Sequence, residues 1–179
     1  MSVWVVRAGK DGQFEDFAFI DWDELIEDQI VQRLTQRFSG TRLEYLVAEI
    51  LKASGYTSIQ TRMGPDGGID VLAGKGDMGF GEPRLCVQVK SGSSPVPIGD
   101  YDRLRGNIQN FGAQYGLLVS LSDFTIPVRR ENERAFFNIR LWGPHELVGR
   151  LLDTYDSLPA EIRADIPLQN RRVLVESED

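Results

Sequence analysis

One cysteine and one histidine occur in 179 residues. Cys86 has no partner for a disulfide, and the pair Cys86 and His145 cannot assemble a structural zinc site, which takes four thiolate or imidazole ligands. Cys86 lies in an apolar run, which predicts a buried thiol and fits a reducing, cytoplasmic setting. No apolar stretch approaches the roughly 20 residues needed to span a bilayer, and the N-terminus lacks a signal-peptide pattern, so no membrane role is expected. Basic charge is also short: 20 Lys and Arg against 27 Asp and Glu, net −7. That balance lacks the basic footprint of a strong, autonomous DNA binder. Several of the acids, however, sit toward the ends of the chain (Asp21, Asp23, Glu24, Glu27, Asp28; Glu176, Glu178, Asp179). What remains is ordinary for a globular domain, 41% hydrophobic and 26% charged, without internal repeats or low-complexity tracts. A chain of this length fits one domain able to bury about 70% of its unfolded surface.

Periodicity supplies the elements. Val3–Val6 reads as a strand. Asp23 is placed to cap a helix to about Phe38, with Ile26, Ile30 and Leu34 four apart, and Ser39-Gly40 stops it. A second helix is predicted from Thr41 to about Ala53, ending at Gly55. Its Leu43, Leu46, Val47, Ile50 and Leu51 occupy i, i+3, i+4, i+7 and i+8. Strands follow near 57–62, 68–73 and 84–90. A helix from about Ile98 to Phe111 turns Tyr101, Leu104, Ile108 and Phe111 inward. A strand at 115–121, a helix near 127–136, a strand at 138–142 and one or two helices within 144–165 complete the pattern, with a short strand allowed at 173–175 in the charged tail. The class is α/β. The first three strands form a meander, and the helix before the fourth implies a crossover that makes strands three and four parallel in a mixed central sheet flanked by helices.

Asp70 in Gly-Gly-Ile-Asp-Val-Leu-Ala (67–73) and Gln88 with Lys90 in Leu-Cys-Val-Gln-Val-Lys (85–90) interrupt these apolar strands with polar groups. Alternation sends Gln88 and Lys90 to one face and Val87 and Val89 to the other; in the earlier strand Asp70 shares a face with Leu72, opposite Ile69 and Val71. Pairing the strands lets an acid, an amide and an ammonium converge. A hard divalent cation takes oxygen ligands such as Asp70 and the Gln88 carbonyl, to which the Val89 carbonyl could be added. A lysine beside it could orient a water and balance charge on a phosphate. Each residue also has a structural use. Asp70 can bond turn amides, although Gly67-Gly68 already provide the turn and Asp66 is the better turn carboxylate. Lys90 can snorkel from a strand end, and Gln88 can satisfy an edge backbone. Thr41-x-x-Glu44 spells a capping box, yet Glu44 also lies roughly 90° from the centre of the apolar stripe, at the rim of the buried face.

Other motifs carry less. Gly74-Lys-Gly-Asp-Met-Gly79 follows a strand but precedes another strand, so it reads as a hairpin and not as a dinucleotide loop. His145 reads as a helix-start residue. Ser91, Ser93 and Ser94 suit either turns or phosphate. Arg103, Arg105, Arg129 and Arg130 read as solvated helix faces open to phosphate contact. Trp142 and Phe136-Phe137 are expected in the core.

At these same residues the chain resembles the Mrr-type restriction endonucleases, a branch of the PD-(D/E)xK nuclease superfamily. The resemblance runs through residues 43–56, Gly-Pro-Asp-Gly-Gly-Ile-Asp-Val-Leu-Ala (64–73), Cys-Val-Gln-Val-Lys-Ser-Gly (86–92), 116–120 and 136–142, spanning about 24–165. It implies an αβββαβ restriction-endonuclease-like core. It also implies a Mg²⁺ site (Mn²⁺ able to substitute) held by Asp70, Gln88 and Glu44, with these three and Lys90 as the catalytic set. Gln88 replaces the second acid usual in the superfamily, as in the Mrr branch, and lowers the negative charge of the site. The implied activity is hydrolysis of phosphodiester bonds in foreign, modified DNA, as in defence against phage. Two-strand cleavage implies a homodimer or a partner DNA-recognition domain. Residues 1–22, opening Val-Trp-Val-Val-Arg-Ala-Gly, resemble the start of an accessory module, either naturally shortened or trimmed. The nuclease domain would cover 23–168, and 169–179 would be a charged tail. The acidic balance keeps alternatives open: a catalytically idle nucleic-acid-binding module, a protein-interaction domain of a defence complex, or a nuclease acting on branched DNA or RNA.

Overall fold

The computed structural model of the protein describes residues 22–61 and 68–168. The expected strands at 3–6 and 173–175, and Asp66, lie outside these residues. Helix α1 (Trp22–Arg37) is followed by α2 (Thr41–Ala53), β1 (Thr57–Gln60), β2 (Val71–Lys75), β3 (Gly81–Lys90), α3 (Ile98–Asn110) and β4 (Tyr115–Ser120). Then come α4 (Ile126–Arg134), β5 (Ile139–Trp142), α5 (Pro144–Thr154), a 3₁₀ turn at Tyr155–Ser157 and α6 (Ala160–Asp165). The five strands form one sheet in the order β1-β2-β3-β4-β5. β1, β2 and β3 pair antiparallel, while β3–β4 and β4–β5 are parallel. The predicted meander and crossover are both present.

The sheet separates two cores. On one side α2, with α1 and α5, covers Val71, Val87, Val89, Leu117 and Val119. On the other, α3 covers Cys86 and Leu118 with Tyr101 and Leu104, and Val128 of α4 joins them. β4 is therefore buried on both faces, as its parallel neighbours on either side require. The α2 stripe of Leu43, Leu46, Val47, Ile50 and Leu51 is at most 3% exposed. Each such side chain contributes about 1.5–3 kcal/mol on burial. Two bonds end α2: the Tyr56 amide donates to the Leu51 carbonyl at 3.0 Å and the Gly55 amide to Lys52 at 2.8 Å. This Schellman arrangement needs Gly55, at φ 81°.

Several expectations need correction. α1 runs Trp22–Arg37, so the backbone of Asp23 lies inside its first turn and not at the expected cap position. Its inward row is Ile30, Leu34 and Phe38, and Ile26 is exposed. Phe111 caps the end of α3 and points outward, while Asn107 takes the buried position in its place. Phe136 and Phe137 are exposed, because they fall in the turn between α4 and β5 where no layer covers them. β3 starts at Gly81, three residues early, because the Gly74–Gly79 loop closes a tight hairpin that pairs Lys75 with Gly81. At Gly74 a Cβ would lie 2.0 Å from the Gly79 carbonyl oxygen, so only glycine fits.

Candidate active site

β3 carries Gln88 and Lys90 at its C-terminal end, where its parallel partner β4 ends at Ser120. Val87 and Val89 enter the α2-side core. Lys90, on the other face, reaches α3, where its Nζ lies 3.0 Å from Asp100 Oδ1.

Asp70 does not sit within β2. Its amide donates to the Val87 carbonyl at 2.8 Å, its carbonyl accepts from the Thr61 amide at 2.9 Å, and the regular ladder begins only at Val71. The next donor on β3, the Val89 amide, bonds to Asp70 Oδ2 at 2.6 Å, so a side-chain oxygen takes the place of a ladder carbonyl. The expected alternation therefore breaks at this residue: Ile69 packs with Leu72 and Cys86 on the α3 side, and Val71 packs on the α2 side. The expected common face for Ile69 and Val71 is thus overturned by the departure of Asp70 from the ladder. Gly68, at φ 58°, starts this segment, and a Cβ there would lie 2.9 Å from Arg103 Cδ and 3.4 Å from Gln88 Nε2.

Glu44 enters from α2. The capping box does not form: the N-cap is Gly40, at φ 51°, and no side chain caps the helix. The Glu44 side chain turns inward instead and is 7% exposed. Burial raises its pKa, the charge of Asp70 raises it further, and the neighbouring Gln60 amide draws it back. Gln60 Nε2 also donates to the Thr41 carbonyl at 2.9 Å, tying the end of β1 to the first turn of α2. The Asp70 pKa is likewise raised by burial, against the lowering effects of the Val89 amide and the Lys90 charge. The charge of Asp70 thus reaches Glu44 and that of Lys90 reaches Asp70 at one end of the sheet. Gln88 is 1% exposed and, among the described residues, its Oε1 has no hydrogen-bond partner. No group of three or more His, Cys, Asp or Glu that could hold a metal occurs among the described residues. The available oxygen donors are two carboxylates and one amide.

Sequence reading missed Gln60 and Asp100, and it read Arg103 only as a solvated helix-face residue open to phosphate contact. Arg103 Nη1 lies 2.9 Å from the same Asp100 Oδ1 that Lys90 contacts. Arg105 and Arg129 are paired with Glu131 and Asp123 on the surface. Ser91 Oγ accepts from the Gly40 amide at 3.0 Å, holding the α1–α2 corner against the end of β3. His145 stands in the first turn of α5 beside Glu27, 3.1 Å away. A groove of about 530 Å³, lined by Tyr56, Leu85, Tyr115, Phe136 and Trp142 among others, lies along β5 and at the N-terminal end of β4 and contains none of the four candidate residues.

The restriction endonuclease family Mrr_cat matches residues 35–151, which include all four candidates. The chain belongs to that family. Among solved structures it is similar to AspBHI, a DNA modification-dependent restriction endonuclease, with TM-score 0.57 and 18% identity over 88% of this chain and 43% of that one. It is also similar to the MspJI restriction endonuclease in complex with a 27-mer oligonucleotide, with TM-score 0.53 and 19% identity over 82% of this chain and 38% of that one. These likenesses establish a restriction-endonuclease-like fold, and the chain spans less than half the length of either neighbour. No curated protein matches it. No helix among the described residues is long and apolar enough to cross a membrane.

Proposed function

We propose that this restriction-endonuclease-family domain is a divalent-metal-dependent DNA endonuclease whose site is Glu44, Asp70, Gln88 and Lys90. The observation that carries the reading is the buried Gln88 oxygen, without a partner among the described residues, on the strand whose next amide fixes the Asp70 carboxylate. An unsatisfied buried acceptor costs about 1–3 kcal/mol, and such groups call for an explanation. A hard cation would satisfy it, and the same cation would offset the burial that raises the pKa of both Glu44 and Asp70 and the Asp70 charge that raises that of Glu44 further. The donor chemistry fits Mg²⁺, with Mn²⁺ able to substitute. The bound ion would supply Lewis acidity toward a phosphate oxygen and a more acidic water.

The chain's own residues do the rest. Asp70 keeps one oxygen on the Val89 amide, leaving the other to ligate. Gln60 steadies Glu44. The Lys90 ammonium stands beside Asp70, where it can hold a water for attack and balance charge on the phosphate. By analogy with AspBHI, a DNA modification-dependent restriction endonuclease, the substrate is foreign DNA carrying modified bases, cut in the cytoplasm as a restriction or phage-defence step. A homodimer, or a partner DNA-recognition domain, would supply the second cut and the base reading that an acidic chain of this length does not advertise. Residues 23–168 are taken as the catalytic unit.

The test is plasmid cleavage in Mg²⁺. Wild type should nick, and Asp70→Ala and Lys90→Ala should each reduce the rate at least roughly 10²-fold, the scale of losing a positioned proton-transfer or charge-stabilising group. Equal rates in all three proteins would overturn the assignment. The net charge of −7 favours a second reading, an idle nucleic-acid-binding module, for which DNA would bind without metal and stay intact.

A further inference from the structure

The Lys90 ammonium and the Arg103 guanidinium share a single carboxylate oxygen, Asp100 Oδ1, at 3.0 and 2.9 Å. We propose that Asp100 is a positioning residue for Lys90 and that Arg103 is a contact for a DNA phosphate, released from Asp100 when DNA arrives. The proposal rests on the reading of the site as a nuclease centre.

The placement supports it. Pro97 begins α3 in extended backbone, and Asp100 stands in the first turn of the helix, facing the end of β3. An acid in a helical first turn is favoured by the helix dipole alone. That preference does not account for a carboxylate placed on a lysine from another element, at the strand end that also carries Gln88. The side chains grade outward: Asp100 is 18% exposed, Lys90 31% and Arg103 58%. The Arg103 methylenes lie over Gly68, close to the Gln88 amide, so the guanidinium emerges at the rim of the candidate site. Its pairing with Asp100 is an exposed i,i+3 contact, of a kind that contributes little and is easily exchanged. A phosphate offers a guanidinium two oxygens in a matching plane, a better partner than one shared carboxylate oxygen. With Arg103 drawn onto phosphate, Asp100 is left to Lys90 alone, and the ammonium is held in one place during the reaction.

The experiment uses the full chain, with a short DNA duplex for binding and a plasmid for cleavage. Without metal, in EDTA, Arg103→Gln should reduce the slope of log K against log salt by about 1, the signature of one lost phosphate contact. Asp100→Asn should bind DNA at least as well as wild type. In Mg²⁺ its cleavage rate at saturating DNA should nevertheless fall about 10- to 100-fold, as losses of supporting contacts in a site do, with KM unchanged and part of the rate restored by Asp100→Glu. A purely structural role would show instead as a lower melting temperature with an undiminished rate in the folded fraction, and that result overturns the positioning role. An unchanged salt slope in Arg103→Gln overturns the phosphate contact. If wild type cuts, Lys90→Ala does not, and both new variants behave as wild type, this proposal fails while the nuclease reading survives. If wild type cuts nothing, the nuclease reading fails and the role of Asp100 fails with it.

Discussion

Replacing Glu44 by glutamine removes one charge from a position only 7% exposed and leaves the side-chain volume nearly unchanged. In the native state that charge is disfavoured first by burial and then by Asp70, and the Gln60 amide offsets only part of this. A glutamine at 44 keeps an oxygen for Gln60 and carries no charge for Asp70 to repel. Relieving such a site typically adds about 0.5–2 kcal/mol, and for a domain of this size 1 kcal/mol moves the melting temperature by roughly 2–4 °C. The sign follows from proton linkage. The folded pKa of Glu44 lies above its unfolded value near 4.5, so the native state binds the proton more tightly. Its contribution to stability is fully present below the unfolded pKa and is lost as pH rises through the folded one. Metal-free wild type should therefore lose ground to Glu44→Gln as pH rises from below the unfolded value of 4.5 to above the raised folded one. Thermal unfolding of both proteins in EDTA across that range is the assay. Mg²⁺ should then reverse the order, since a ligand at 100 times its Kd stabilises by about 2.7 kcal/mol and the variant would bind it less tightly. A variant that melts lower than wild type at pH 8 in EDTA, or a gap that does not change with pH, would refute the reasoning.

Two further outcomes are expected from the scaffold. Leu46, fully buried between α2 and the sheet, should cost about 2–5 kcal/mol when changed to alanine, read by chemical denaturation with an unchanged m-value. Cys86, buried and with its thiol pushed up to about 11, should resist a disulfide reagent in the native protein and react promptly once guanidinium unfolds it.

Much of the scaffold is legible because its signals are local and repeated. The α2 stripe, the Gly55 stop and the continuous apolar run of β4 each restate one structural requirement over several residues. The parallel pairing of β3 and β4 follows from connection length alone. What local periodicity could not show is where a strand begins when a side chain replaces the backbone in the ladder. Asp70 reads as an interior strand residue, yet its carboxylate occupies the place of a main-chain carbonyl, and this shifts Ile69 to the opposite face. Thr41-x-x-Glu44 misleads for a related reason: the motif is correct for a cap, but Gly40 takes the cap position and the Glu44 side chain turns inward to the Gln60 amide despite the charge of Asp70. Phe136 and Phe137 mislead because hydrophobicity without a covering layer does not produce burial.

Gln60 and Asp100 are the residues for which sequence offered no prompt. Each belongs to an element whose own pattern it does not disturb, and its partner lies on another element. Their interest is energetic. Folding ordinarily pairs buried polar groups and separates like charges, and the two cores on either side of the sheet obey that rule. At the end of β3 the rule is broken in three ways: among the described residues a buried amide oxygen lacks a partner, the charge of Asp70 adds to the burial that hinders ionisation of Glu44, and one aspartate oxygen serves two cations. Any one of these could be tolerated as an accident of packing. Together they describe a place left unfinished by the chain itself, in which a divalent cation would complete the oxygen set and a phosphate would take up the surplus guanidinium. Sites that give up stability in this way are where a ligand has most to offer, and the defects here match the two charges that a phosphodiester and its metal would bring.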